Sequence, residues 1–182
     1  MQSSLLAQRF VDSPVGPLFL VADRHAVRAL RFADPEEPRP PQSALPSLAP
    51  RAALRLIDRL ERELRDYFAG QRRDFTVPLA ARGTPFQERV WGALRAIPYG
   101  ATATYGDIAR AIGMPAAARA IGGANNQNPI AIVIPCHRVI GADAKLVGYA
   151  SGLAKKVALL QLEGALPAKG RERAVAAAAR HG

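Results

Sequence analysis

The sequence predicts an α+β protein in two parts: a small N-terminal domain of antiparallel sheet and one helix, then a mostly helical C-terminal domain containing a helix-turn-helix. Three observations predict it. Apolar and polar residues alternate loosely over residues 5–33 between clusters of turn formers, as in short antiparallel strands. Between residues 51 and 68 apolar residues recur at three- and four-residue spacing, as on one face of a helix. Two later segments open on a threonine answered three residues on by Gln87 or Asp107, the signature of a helix N-terminus.

Residues 5–11, 17–22 and 26–32 read as three strands, with turns over 12–16 and 23–25; His25 is a turn residue. Residues 34–50, rich in proline and without periodicity, read as a surface loop or linker. The helix over 51–68 offers Leu54, Ile57, Leu60, Leu64 and Tyr67 or Phe68 to a core. Its other face carries Arg55, Arg59, Glu61, Arg62, Glu63 and Arg65, a pattern typical of a solvated, ion-paired surface. Gly70 ends the helix, and residues 74–79 are compatible with a fourth strand. Residues 80–83 form the junction between a domain over 1–80 and one over 84–168, with 169–182 as a frayed or loosely helical tail.

The second domain opens with Thr84 as N-cap and Pro85 at the first helical position; Phe86, Val90, Leu94 and Ile97 give the buried stripe, and Trp91 joins the core. Pro98-Tyr99-Gly100 stops this helix. Thr104 then caps a short helix with Ile108, Ala109 and Ile112 inside. Gly113-Met114-Pro115 turns the chain, and residues 116–124 form a second helix of small residues with Arg119 as its one charge. In a helix-turn-helix the second helix lies against nucleic acid, although such pairs also serve as plain packing units. A last helix over 152–163 buries Leu153, Val157, Leu160 and part of Leu159, and ends at Gly164. Glu163 falls in its last turn, where a carboxylate opposes the helix dipole unless a partner such as His137 compensates it.

At 182 residues the chain holds one domain, or two small ones, with a real core. Net charge is +10, unevenly spread: residues 1–83 carry 13 basic and 10 acidic side chains, residues 84–182 carry 12 and 5. A polyanionic partner for the second half fits that balance. No apolar run approaches the ~18 residues that span a bilayer, and the N-terminus lacks the basic and apolar regions of an export signal. A single cysteine excludes an internal disulfide and a cysteine-rich zinc site, so a cytoplasmic protein with no metal and no cofactor is expected.

That cysteine lies in Pro129-Ile130-Ala131-Ile132-Val133-Ile134-Pro135-Cys136-His137-Arg138-Val139. The apolar run between prolines reads as a buried strand-like segment, and Pro135 stiffens the backbone entering Cys136. A lone cysteine is most often an inert core residue. Here His137 and Arg138 follow it directly, and an imidazole and a guanidinium are the groups that lower a thiol pKa, which favours a nucleophile.

Pro135-Cys136-His137-Arg138-Val139 resembles the active-site signature of the 6-O-alkylguanine-DNA alkyltransferases (methylated-DNA–protein-cysteine methyltransferases). The resemblance covers residues 84–164, through Thr104-Tyr105-Gly106, Ala118-Arg119-Ala120-Ile121-Gly122, Asn128-Pro129, Gly148-Tyr149 and Leu159-Leu160-Gln161-Leu162-Glu163-Gly164, in the same order and spacing. The first domain resembles the family's variable N-terminal domain in size and element order only.

The resemblance implies double-stranded DNA containing 6-O-alkylguanine as partner, a damaged base flipped out of the duplex, and irreversible transfer of its alkyl group to Cys136, once per molecule. It implies that His137 takes the thiol proton through a water and that Glu163 orients His137. Tyr105 would hydrogen-bond the leaving guanine and help rotate the nucleotide, and Arg119 would enter the base stack. Ala118 and Arg138 would lie on the DNA. Asn128 would brace the turn before the cysteine, and Val139, Tyr149, Ala150 and Ser151 would support or line the pocket. A monomer is implied, with room for cooperative binding on DNA and no membrane association. Ala144 stands where the family has glycine, so a strained turn is expected there. Two other readings stay open: a helix-turn-helix regulator whose cysteine is a sensor or merely structural, and a cysteine hydrolase using Cys136, His137 and Glu163.

Overall fold

The computed structural model describes residues 6–34, 36–38 and 49–166; the expected tail, most of the proline-rich loop and the expected strand start at Leu5 lie outside them. The chain divides into two compact units, residues 1–82 with 129–131, and residues 83–128 with 132–182.

In the first unit, β1 (Ala7–Val11), β2 (Leu18–Ala22) and β3 (Val27–Phe32) form an antiparallel sheet in sequential order, with a register irregularity at Val21 and Ala22. Helix α1 (Arg51–Phe68) packs on β1 and β2. Its buried stripe is Ala53, Ile57, Leu60, Leu64 and Tyr67; Leu54, expected in it, lies one position off the stripe and is exposed. The expected fourth strand is absent. Residues 74–79 are irregular except for one parallel bridge, in which the Val27 N–H donates to the Pro78 carbonyl and the Ala80 N–H to the Val27 carbonyl. Ile130 makes a second such bridge with Leu30.

Glu63 also departs from expectation. It is buried, not part of the solvated face, and its carboxylate accepts from Arg59, from the Thr76 hydroxyl at 2.7 Å, and from the N–H groups of Thr76 at 2.9 Å and Val77 at 3.3 Å. With neither helix nor ladder to satisfy them, the backbone donors of this irregular segment take a side-chain acceptor.

The second unit holds α2 (Pro85–Arg95), β4 (Ala103–Thr104), α3 (Tyr105–Ala111), α4 (Ala118–Asn126), β5 (Val139–Ile140) and α5 (Leu153–Leu162). Both expected capping boxes form, Thr84 with Gln87 and Thr104 with Asp107. Trp91 is buried as expected, its indole N–H donating to the Ala124 carbonyl at 2.9 Å, which ties α2 to α4. Helix α3 ends at Gly113 (φ 71°), where the Gly113 and Met114 N–H groups cap the carbonyls of Arg110 and Ala109. The expected second helix over 116–124 is instead a 3-10 turn over Pro115–Ala117, with proline at its first position, followed by α4 over Ala118–Asn126. β4 and β5 pair in parallel.

The apolar run before Cys136 is buried but is not a strand. Ile130 makes its single bridge, residues 131–133 form a turn, and Ile132 takes φ 69°, an uncommon conformation for a β-branched residue.

Removing the Glu63 carboxylate strands several donors, one of them the buried Val77 N–H. Glu63→Ala is expected to cost about 2–3 kcal/mol of unfolding free energy in urea titration, whereas Arg62→Ala on the exposed face changes it by no more than about 0.5 kcal/mol.

Candidate active site

Pro135 shapes the entry to the cysteine. With φ −81° and ψ 64° it is the centre of an inverse γ-turn, closed by the Cys136 N–H donating to the Ile134 carbonyl at 2.8 Å. The Asn128 side-chain N–H donates to the same carbonyl, also at 2.8 Å. A 3-10 turn over Cys136–Arg138 follows, and Val139 leads directly into β5. The three side chains of this turn are buried.

His137 and Arg138 both reach Glu163, the C-cap residue of α5. His137 Nε2 lies 2.9 Å from Glu163 Oε1. Arg138 donates from Nε to Oε2 at 2.8 Å and from Nη2 to Oε1 at 2.9 Å. The last helical turn is closed by Gly164 (φ 73°), whose N–H caps the Gln161 carbonyl while the Ala165 N–H caps that of Leu160. Burial pushes the Glu163 carboxyl up, but the hydrogen bonds and charges of His137 and Arg138 outweigh it and hold the pKa at about 2. With Glu163 ionised, His137 Nε2 carries the proton it donates. The other ring nitrogen, Nδ1, meets no hydrogen-bonding group among the described residues. Burial pushes the His137 pKa down, with Glu163 opposing, so the ring rests neutral. A neutral imidazole with an unprotonated nitrogen is a base.

The thiol departs from expectation. Burial pushes the Cys136 pKa up, and the groups that pull it back are Asn128 and Tyr149 by hydrogen bonding and Lys156 by charge, rather than His137 and Arg138. The imidazole and guanidinium are engaged with Glu163, and the nearby cation is one that sequence reasoning missed. Lys156 has no exposed surface; Nζ donates to the carbonyls of Val139 at 2.6 Å and Val147 at 2.9 Å. Burial pushes its pKa down to about 8, opposed by the Cys136 charge. Its signal was positional: Leu153, Lys156, Val157 and Leu160 share an i, i+3, i+4, i+7 stripe, of which α5 buries all but the half-buried Leu153.

The other expected residues fall as follows. Tyr105, at the start of α3, is half-buried; burial and then the Cys136 charge push its phenol up. Its hydroxyl also lies beside Gly148, 3.8 Å from where a Cβ would stand. Tyr149 and Ser151 are half-buried and Ala150 is exposed. On α4, Ala118 is half-buried and Arg119 is exposed, without a hydrogen bond or ion pair to another described residue. Arg138 is the clear correction. Expected on DNA, it is 7% exposed, because its guanidinium is spent on Glu163 and on the Ile97 carbonyl at 2.6 Å. Ala144 takes φ 57°, the strained turn expected at that position. Among the described residues no three metal-ligating side chains cluster, and no helix is long and apolar enough to cross a membrane.

An α+β chain that places a helix-turn-helix, a buried free cysteine and a buried imidazole–carboxylate couple in one unit defines a class: a helix-turn-helix fold with a thiol built into it. Residues 85–165 match the DNA binding domain model of 6-O-methylguanine DNA methyltransferase, and residues 6–81 match that family's ribonuclease-like domain model. The chain belongs to the 6-O-methylguanine DNA methyltransferase family. It is 48% identical over 154 residues to the methylated-DNA–protein-cysteine methyltransferase of Methanosarcina acetivorans, covering 84% of this chain and 95% of that one. The crystal structure of Mycobacterium tuberculosis O6-methylguanine methyltransferase is similar at TM-score 0.71 and 48% identity, over 90% of this chain and 96% of that one. A crystal structure of the Mycobacterium tuberculosis protein in complex with DNA matches at TM-score 0.71 and 48% identity, over 88% of this chain and 95% of that one.

The carboxylate state sets an acid limit on stability. Glu163 titrates at about 2 when folded against 4.5 unfolded, so its contribution is complete above pH 4.5 and is lost as pH falls toward 2. His137, with its pKa lowered by burial, adds a loss that begins as pH falls below 6.5. Urea titrations across pH should show this decline, and Glu163→Gln should lower stability near pH 7 by about 3 kcal/mol while flattening the limb between pH 4.5 and 2.

Proposed function

We propose that this protein repairs DNA by moving the alkyl group of 6-O-alkylguanine onto Cys136, in a single irreversible event per molecule. The observation that carries the residue-level reading is the buried His137–Glu163 couple directly beside the chain's one cysteine, in the unit that also holds the helix-turn-helix. Relatives 48% identical that align over most of their own length are named methylated-DNA–protein-cysteine methyltransferases, and the Mycobacterium tuberculosis relative is crystallised with DNA. The domain division that goes with this reading is 1–80, 84–168 and a tail over 169–182.

The steps follow from acid–base and displacement chemistry. The alkyl carbon of a stacked guanine is out of reach, so the nucleotide is extruded from the duplex at a cost of a few kcal/mol. Arg119, exposed on α4, fills the stack behind it. His137 Nδ1 takes the Cys136 proton by way of a water, and Glu163 stabilises the imidazolium. Sγ attacks the alkyl carbon, the carbon–O6 bond breaks, and its electron pair leaves on the guanine, which Tyr105 stabilises with a hydrogen bond. The product is a thioether with no ionisable thiol, so the protein is spent. Asn128 holds the Ile134 carbonyl and the thiol, and Tyr149, Ala150 and Ser151 line the pocket. A monomer acting in the cytoplasm suits this chemistry.

A helix-turn-helix regulator or a cysteine hydrolase would leave a different stoichiometry. Incubation with duplex DNA containing 6-O-methylguanine should add one methyl to the tryptic peptide spanning residues 120–138, saturating at one per protein. Binding without that mass change would indicate a sensor, and release of product beyond one equivalent a turning-over hydrolase. Arg119→Ala should slow transfer from duplex DNA by about tenfold or more, since base extrusion costs a few kcal/mol and 1.4 kcal/mol is tenfold in rate. Its reaction with the free base 6-O-methylguanine should be unchanged.

A further inference from the structure

Arg138 lies two positions after the nucleophile, yet the steps above give it no task. Its guanidinium is buried, and each of its three nitrogens donates a hydrogen bond. Nε and Nη2 hold the two oxygens of Glu163 at 2.8 and 2.9 Å, and Nη1 donates to the Ile97 carbonyl at 2.6 Å. The Tyr99 ring lies against it, 5.8 Å from the guanidinium carbon to the ring centroid, and the Tyr99 hydroxyl donates to the Leu162 carbonyl at 3.1 Å. Gly100 leaves room for the Glu163 carbonyl, which would stand 3.0 Å from a Cβ there. The segment after α2 thus meets the end of α5 both directly and through Arg138.

We propose that Arg138 is a positioning residue for alkyl transfer: by holding both oxygens of Glu163 it fixes the carboxylate plane so that Oε1 accepts the His137 Nε2 proton and Nδ1 is kept free for the thiol proton. The proposal rests on the alkyl-transfer reading and adds a member behind the Cys136–His137–Glu163 set. A carboxylate held by one imidazole can rotate about its last bond, whereas the planar fork of arginine pins it. The charge matters as well. Glu163 is buried at a helix C-terminus, where both desolvation and the dipole favour its protonated form. A protonated carboxyl would donate to Nε2 and move the imidazole proton to Nδ1, the nitrogen that has to receive one.

Few other charged or titratable groups face this couple among the described residues. Cys136 shares the turn, Lys156 comes from α5, and Tyr99 presents its ring; Tyr149 hydrogen-bonds the thiol, and Tyr105 feels the Cys136 charge. Arg138 lowers the basicity of His137 as well as the pKa of Glu163. Losing it therefore raises both, and both changes move the acid limb of the reaction to higher pH.

The test compares wild type, Arg138→Met and Arg138→Lys in three measurements: single-turnover transfer from 6-O-methylguanine duplex at saturating DNA across pH, equilibrium binding to that duplex, and nitrogen NMR of His137 in the free protein. Arg138→Met should transfer about 100-fold more slowly near neutral pH, the loss of a charge-assisted hydrogen-bond pair worth roughly 3 kcal/mol. Its acid limb should move up by about one pH unit or more, and NMR should report the proton on Nδ1 or shared between the nitrogens. Arg138→Lys, which keeps the charge without the fork, should recover part of the rate and most of the limb. It also serves if the methionine variant does not fold. DNA affinity should be unchanged in both. Weaker, less salt-dependent binding with an unchanged rate at saturation would overturn the proposal in favour of a DNA contact. A slower rate with an unmoved acid limb and an unmoved His137 tautomer would overturn it in favour of a packing role. The NMR measurement needs no DNA, so an inactive wild type would sink the alkyl-transfer reading while the effect of Arg138 on His137 was still measured.

Discussion

Glu163 is a buried carboxylate at the end of a helix, and burial and the helix dipole both press it toward neutrality. It stays ionised because three N–H donors from two adjacent residues converge on its two oxygens. The rest of the site depends on that ionisation. An ionised Glu163 dictates which imidazole nitrogen carries the proton, and hence which one is left as a base. Buried ion pairs are poor sources of net stability, since desolvation offsets most of the attraction, yet breaking one from a single side costs about 3–5 kcal/mol. The arrangement is better understood as geometry held at little net gain. It joins the residues after α2, the cysteine turn and the last turn of α5 through Ile97, Arg138 and Glu163.

The thiol stands in a different balance. Buried, with its pKa pushed up, it rests protonated, and that makes it a slow target for oxidants, which attack thiolate. A nucleophile that is used once gains from such latency, because a cysteine oxidised before meeting its substrate is a lost molecule. Lys156 keeps the thiolate within reach. Its ammonium, held by the Val139 and Val147 carbonyls, is a positive neighbour below its pKa of about 8 to a charge that exists only during reaction. The two carbonyls bracket residues 140–146, so one side chain ties down that segment and sets the electrostatics of the sulfur.

The elements with strong local signals were legible in the sequence. The three strands, both capping boxes, the glycine stops at Gly70, Gly113 and Gly164, and the burial of Trp91 follow from turn chemistry, capping and periodicity. What was not legible is what depends on contacts between distant residues. Glu63 sits among charged neighbours and reads as surface, and nothing local but its place on the stripe marks Lys156, yet each satisfies backbone groups 9 to 17 residues away. The apolar run before Cys136 reads as a strand because hydrophobic runs of that length usually are. Its turn is set by Pro135, by Asn128 and by the φ of Ile132, and no propensity announces a β-branched residue at positive φ. Arg138 was misjudged for a related reason. The resemblance put it on the DNA, and only the position of Glu163, 25 residues later, shows that its charge is already taken.

The composition of α4 bears on what the helix-turn-helix can recognise. Reading a base pair in the major groove takes side chains that can pair two hydrogen bonds with a base edge, placed near the N-terminus of the recognition helix. Helix α4 begins Ala118-Arg119-Ala120, continues through Gly122 and Gly123, and carries its amides only at the far end. A Cβ on Gly123 would meet nothing within 4 Å, so internal packing does not demand a glycine there. A smooth surface with one arginine is suited to close approach along a groove and to insertion at a single step, and it is unsuited to selecting a sequence. A regulator must find one site among many by its bases. A protein whose target is a damaged nucleotide in any context must instead bind without regard to sequence and leave discrimination to the pocket that receives the extruded base. The side chains of α4 meet the second requirement and lack what the first would need.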